Sequence, residues 1–372
     1  VGECESVGRR GGTPVLEQPA ESGPREVRRD ESWSSTRTGH PSLISVPEVM
    51  PATPPDVPLT ANGFPVATAP GALAELEPVN HLLGDAEGLR ARMAEHGHLF
   101  FHRLLDPEVV LAARHEVLLK YAVIGEIDGR HPVDDAIAGD GDAVPVANLT
   151  AFSESVRTGA RYLAVTDAPE VIDLQRRLFG SEVHVFDMRW PRFVRPGEGC
   201  GYHCDGPYMN RATSRIHSCW IPLGRVRRHE GALMLLEGSH TSEPLHAGYL
   251  RADADLDGLK WLDDDPEVVR RQYGSRWLST DFEPGDVLCF GMHMLHGAFD
   301  NRSPEGRCRL SSDSRYQPAD EPADPRWNGP DFSGHGGHRV FYPGLGRWNN
   351  DDFQDEWKDV DERGRLRLRE ST

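Results

Sequence analysis

The stretch Gly201-Tyr202-His203-Cys204-Asp205-Gly206 places a histidine and an aspartate two positions apart. Side chains two apart on an extended strand leave the same face, so this imidazole and carboxylate could close on one metal ion. A His-x-Asp pair alone suits several metals and needs a third ligand. His296, in Met294-Leu295-His296-Gly297-Ala298, is the candidate, because it follows the strand-like run Asp286-Val287-Leu288-Cys289-Phe290. His293 is its rival, three residues earlier. Two imidazoles and one carboxylate on one face of iron(II) leave the opposite positions open for substrate and oxygen.

Beyond His296 lies Arg309-Leu310-Ser311, whose arginine and serine alternate onto one face of a strand-like run. A permanently charged guanidinium fork beside a hydroxyl suits a distal carboxylate. With the metal triad, that matches 2-oxoglutarate as an iron-bound cosubstrate held by arginine. Arg307 shares the parity of Arg309 and competes for the role. Cys200 and Cys204 flank His203, but C-x-x-x-C without a second cysteine pair is poor zinc spacing, so both are expected in core or turn. Arg225, Arg227, Arg228 and His229 form a basic cluster, expected to be a solvated loop. His240 is expected to make hydrogen bonds in a turn, and His335 and His338 to be solvated in a glycine-rich tail.

These residues need a rigid frame. The sequence predicts a helix from Asp85 to Ala94, with regular structure beginning there, and a strand at His98-Leu99-Phe100-Phe101. Asp106-Pro107-Glu108 reads as an N-cap, a first-turn proline and a first-turn acid. Val110, Ala113, Val117 and Tyr121 then recur at helical spacing, which predicts one face packed on a sheet. Residues 125–148 read as loop, and a second helix is predicted over 168–178, ending at Gly180. Short strands follow at Val183–Phe186, Ile216–Leu223, Ala232–Leu236, Asp286–Phe290 and Cys308–Gln317, with a helical insertion over Pro266–Tyr273. Helices first and short strands after predict an α+β fold with a jelly-roll core at about residues 180–320.

Composition sets the outer limits. The formal charge of −18 gives no basic footprint for nucleic acid, and no apolar run is long enough for a membrane helix, which predicts a cytoplasmic protein without nucleic-acid or membrane partners. Six scattered cysteines without a C-x-x-C pair predict reduced thiols. Eleven of the 29 prolines fall before residue 71, and residues 1–60 are expected to be disordered or loosely packed, ahead of a single domain over 61–372. Phosphate-loop signatures are absent, which disfavours dinucleotide and nucleotide enzymes.

The chain resembles the phytanoyl-CoA dioxygenase family of iron(II) and 2-oxoglutarate dependent oxygenases. The likeness runs through Arg192-Phe193-Val194-Arg195-Pro196-Gly197-Glu198, the His203-Cys204-Asp205 stretch, Trp220-Ile221-Pro222-Leu223, Glu230-Gly231-Ala232-Leu233, Glu237-Gly238-Ser239-His240, Pro284-Gly285-Asp286, His296-Gly297-Ala298 and Arg309-Leu310-Ser311. It implies a double-stranded β-helix, the cupin-like jelly roll, with flanking N-terminal helices. It also implies iron held by His203, Asp205 and His296, and 2-oxoglutarate held by Arg309, with Ser311 and Trp220 lining the pocket. Oxygen is the oxidant and ascorbate an expected activator in vitro. Halogenating members lack the carboxylate ligand, so Asp205 implies hydroxylation or a related oxidation of a small molecule, in specialised metabolism. Two alternatives are a catalytically silent jelly-roll binding module and a cupin-like metal isomerase or hydrolase without 2-oxoglutarate.

Overall fold

The structure is a computed structural model describing residues 57–139, 149–257 and 262–329, with the backbone of two C-terminal strands. A small hairpin, β1 (Thr60–Ala61) and β2 (Phe64–Pro65), precedes β3 (Leu73–Glu75). Helix α1 (Ala86–His96) starts where Asp85 accepts from the Gly88 amide and stops at Gly97, at φ 73°. After β4 (His98–Phe101) comes α2 (Pro107–Val123), capped by Asp106 accepting from the Glu108 amide. Its predicted face, Val110, Ala113, Val117 and Tyr121, is buried.

Helices α3 (Leu149–Arg157), α4 (Ala160–Thr166) and α5 (Pro169–Phe179) follow, the last ending at Gly180, at φ 71°. The remaining strands are β5 (Val183–Val185), β6 (Trp190–Val194), β7 (Cys200–His203), β8 (His217–Pro222) and β9 (Leu233–Leu236). Then come α6 (Glu243–Ala247), α7 (Pro266–Tyr273), β10 (Trp277–Ser279), β11 (Val287–Gly291), β12 (His296–Ala298) and β13 (Arg309–Pro318). Two strands near the C-terminus, β14 (Trp357–Val360) and β15 (Leu366–Leu368), pair with each other.

The strands assemble into a double-stranded β-helix. One sheet runs β3-β10-β9-β12-β7, and the other runs β4-β11-β8-β13-β5 with β6 also on β13. Alternation along the second sheet decides what lies on each face. Leu99, Phe101, Cys219, Ile221, Val287, Cys289, Leu310 and Tyr316 point outward into the core shared with α2, α4 and α5. Phe100, Trp220, Leu288 and Phe290 point inward against Leu233, Leu235, Trp277 and Phe299 of the first sheet and its loops. Phe193 of β6 stacks on Tyr121 of α2, centroids 4.1 Å apart and 7° from parallel, which adds about 1 kcal/mol beyond area burial.

Regular structure begins earlier than Asp85. The three residues of β3 pair in parallel with β10, strands too short and too distant in sequence to leave a periodic signal. The reading of residues 1–60 lies outside the described residues, except for its last four, among which Thr60 pairs with Pro65. His335 and His338 also lie outside the described residues. No helix among the described residues is long and apolar enough to cross a membrane.

Candidate metal centre

His203 ends β7 and His296 begins β12, and the two are direct partners across the antiparallel pair. The register slips between His296 and Ala298, so Ala298 faces Cys200 and a bulge absorbs the extra residue on β7. Strands β7 and β12 run close together, because a Cβ at Gly297 would stand 2.7 Å from the Tyr202 ring and 3.3 Å from the Cys200 carbonyl. Glycine after His296 is therefore a packing requirement.

Asp205 is not on the strand, contrary to the simple two-apart reading. Its backbone is helical, at φ −67° and ψ −22°, and starts the one-turn helix Gly206–Tyr208. The Gly206 amide donates to the Met292 carbonyl at 2.8 Å, which ties this turn to the end of β11. Ligand atoms of His203, Asp205 and His296 nevertheless converge within 4.8 Å, the only such group of three among the described residues.

The protonation states fit a metal. Nδ1 of His203 faces the Gly201 carbonyl at 3.2 Å, and Nδ1 of His296 faces the Met294 carbonyl at 3.0 Å. A carbonyl only accepts, so each Nδ1 carries the proton and each Nε2 keeps its lone pair for a metal. Burial, followed by the neighbouring His296, pushes His203 down to about 3, and burial lowers His296 as well. Burial alone would raise Asp205. Arg315, the two imidazoles and the Ser218 hydroxyl outweigh it and hold the carboxyl well below the usual range. At neutral pH the cluster is two neutral imidazoles and one carboxylate.

Arg309 opens β13 and is 5% exposed. Its Nε donates to the Gly231 carbonyl at 3.0 Å and its Nη1 to the Ser311 hydroxyl at 2.7 Å, and no carboxylate among the described residues pairs with it. Burial lowers its pKa to about 10, which leaves it charged at neutral pH. Trp220 lies beside it, the guanidinium 6.0 Å from the ring, and packs on Phe282. Cys200 is half-buried on β7, and burial pushes its thiol up, with Arg192, Arg309, Asp313 and Asp205 in electrostatic reach.

Rival residues fall elsewhere. Arg307 precedes the strand, in an isolated bridge with Ile137, within electrostatic reach of Arg114 on α2. His293 sits in the turn before β12, its ring 5.2 Å from that of His246 and outside the triad. His240 lies in a short turn, where its carbonyl accepts from His246. Cys204 is fully buried. In the basic cluster, Arg225, Arg227 and Arg228 pair with Glu283, Asp281 and Glu75.

Two residues that touch the cluster escaped the sequence reading. Arg315 and Ser218 both donate to the Asp205 carboxylate. The period-two alternation that pairs Arg309 with Ser311 runs on to Asp313 and Arg315 and could have found the arginine.

The phytanoyl-CoA dioxygenase family model matches residues 88–308, more than half of the chain. The chain belongs to the phytanoyl-CoA dioxygenase family. It is a non-haem oxygenase that uses iron(II), 2-oxoglutarate and oxygen. The 1-deoxypentalenic acid 11-beta-hydroxylase of Streptomyces arenae is 27% identical over 259 residues, covering 64% of this chain and 83% of that one. Its Streptomyces exfoliatus counterpart is 25% identical over 253 residues, with the same coverage of both chains. Among solved structures, EctD from S. alaskensis matches 77% of this chain and 95% of its own at 16% identity, with a TM-score of 0.46.

Proposed function

We propose that His203, Asp205 and His296 hold the iron, and that Arg309 binds the distal carboxylate of 2-oxoglutarate with Ser311 fixing the guanidinium. The observation that carries this reading is the convergence of half-buried His203 with buried Asp205 and His296, and the unpaired Arg309 on the facing sheet. A buried guanidinium without a carboxylate partner is costly on its own, and a dianionic cosubstrate supplies the missing charge. Trp220 lines the apolar side of that pocket. Bound iron and 2-oxoglutarate supply the oxidising chemistry, in which oxygen converts 2-oxoglutarate to succinate and carbon dioxide. The protein's own part is to keep both imidazoles neutral, orient the carboxylates and shield the site between two sheets.

The substrate is a small molecule of specialised metabolism, and the outcome is hydroxylation, a reading supported by the two relatives that hydroxylate 1-deoxypentalenic acid. The five described cysteines are free, which supports a reducing, cytoplasmic setting. Residues 61–372 are read as one oxygenase domain. The test is succinate formation with iron(II), 2-oxoglutarate, ascorbate and a panel of terpenoid acids. Stimulation by one acid, lost in His203→Ala, is expected. Succinate formation unchanged in His203→Ala would overturn the assignment.

A further inference from the structure

The Asp205 carboxylate is not free to turn. Arg315 Nη2 lies 2.9 Å from Oδ1 and 3.2 Å from Oδ2, and the Ser218 hydroxyl also donates to Oδ2. Oδ2 thus receives two donors and Oδ1 one. Both donors come from a single cross-strand pair, since Arg315 of β13 and Ser218 of β8 are direct partners. The arginine is itself immobilised: it is 3% exposed, its guanidinium lies 4.3 Å from the centre of the Trp190 ring, and Nη1 reaches the Asp313 carbonyl at 3.4 Å. Asp205 therefore belongs to the loop after one sheet while its orientation is set by the other.

A carboxylate has about four lone-pair sites, and an ion takes the oxygen whose sites are least used. We propose that Arg315 and Ser218 are positioning residues for the metal carboxylate, filling both lone-pair sites of Oδ2 and one of Oδ1, so that the remaining site on Oδ1 is the one offered to iron. The inference rests on the assignment of Asp205 as a ligand. It adds that the helix-backed sheet sets the carboxylate's direction as well as carrying the cosubstrate arginine. Outer partners of this kind are worth about 10–100-fold in metal affinity.

The test uses manganese(II) as the probe on full-length protein, with the dissociation constant and the electron paramagnetic resonance line shape of the bound ion as readouts. Metal-free melting is measured alongside. Arg315→Gln is expected to weaken manganese binding by about 10–100-fold and to change the line shape. Arg315→Lys, which offers a point charge without the fork, should recover part of the affinity, and Ser218→Ala should lose a few-fold by about the strength of one hydrogen bond. Wild-type affinity and line shape in folded Arg315→Gln and Ser218→Ala, whatever the melting shift, would overturn the proposal and leave the pair a role in folding alone. Should Arg315→Gln not fold, Arg315→Lys and Ser218→Ala decide by the same criterion. His203→Ala separates the premise: if it binds manganese as the wild type does, the metal assignment fails instead.

Discussion

The five-stranded and six-stranded sheets enclose the same interior and furnish it differently. The first contributes short strands, with the two imidazoles on the adjacent β7 and β12 and the carboxylate on the turn that follows β7. The second contributes the ten-residue β13, whose alternate residues Arg309, Ser311, Asp313 and Arg315 line one face, while Leu310 and Tyr316 reach the helix-packed core. Two imidazoles and a carboxylate thus sit on the first wall, and the guanidinium groups of Arg309 and Arg315 sit on the second. The difference teaches how the proposed metal site and the proposed carboxylate site can share one interior while the ligands and Arg309 stand on different sheets. Each is built on its own sheet; the outer face of the second sheet is packed on the helices, and the two sheets share the inner apolar core.

Breaking the metal wall should have the largest effect. His296→Ala removes a ligand, so succinate formation is expected to fall by more than the roughly 100-fold that outer-partner changes cost, with the melting temperature of metal-free protein little altered. Equal turnover in the variant would contradict the division between sheets.

Acid offers a second way to separate them. His98 of β4 is buried neutral, and burial depresses it to about 4. The unfolded chain binds this proton near 6.5, so stability is full above that value and is lost as pH falls from about 6.5 towards 4, by at most about 3 kcal/mol. His98→Gln should flatten the fall in melting temperature over that window, whereas an unchanged profile would place the titrating group elsewhere.

Smaller changes test one strand against itself. Ser311→Ala loosens the hold on Arg309 and should raise the apparent KM for 2-oxoglutarate by about fivefold, the worth of about 1 kcal/mol, without moving metal affinity. One residue along, Ser312 faces outward and shares a 2.6 Å hydrogen bond with Tyr162 of α4. Tyr162→Phe is expected to cost about 1 kcal/mol of stability by denaturant titration and to leave that KM unchanged. A KM shift in Tyr162→Phe as large as in Ser311→Ala would dissolve the distinction between the two faces.

The parts legible in the sequence were those with local causes. Asp106-Pro107 and Gly180 mark helix ends because capping and left-handed backbone are set by single residues, and the structure places those ends within a residue or two. The triad was readable because its residue types carry the chemistry. Non-local arrangements left no signal. Strand β3 exists only because β10 pairs with it about 200 residues later. The bulge in β7 and the helical backbone of Asp205 depend on contacts with β12 and Met292. Helix α4 begins at Ala160 after Gly159, which offers no side-chain cap, so nothing in its first turn announced it. The parity argument that set Arg309 beside Arg307 failed for Arg307 because that residue precedes the strand and pairs with Ile137 instead.

The central claim, that iron and 2-oxoglutarate are held from opposite sheets, is tested most directly by anaerobic titration of iron(II)-loaded Arg309→Ala with 2-oxoglutarate, followed by visible absorbance. Truncating one side of a buried charge pair costs about 2–5 kcal/mol, so the dissociation constant should rise by at least about 30-fold while iron(II) binding stays at the wild-type level. Unchanged 2-oxoglutarate affinity, or iron lost together with it, would contradict the account.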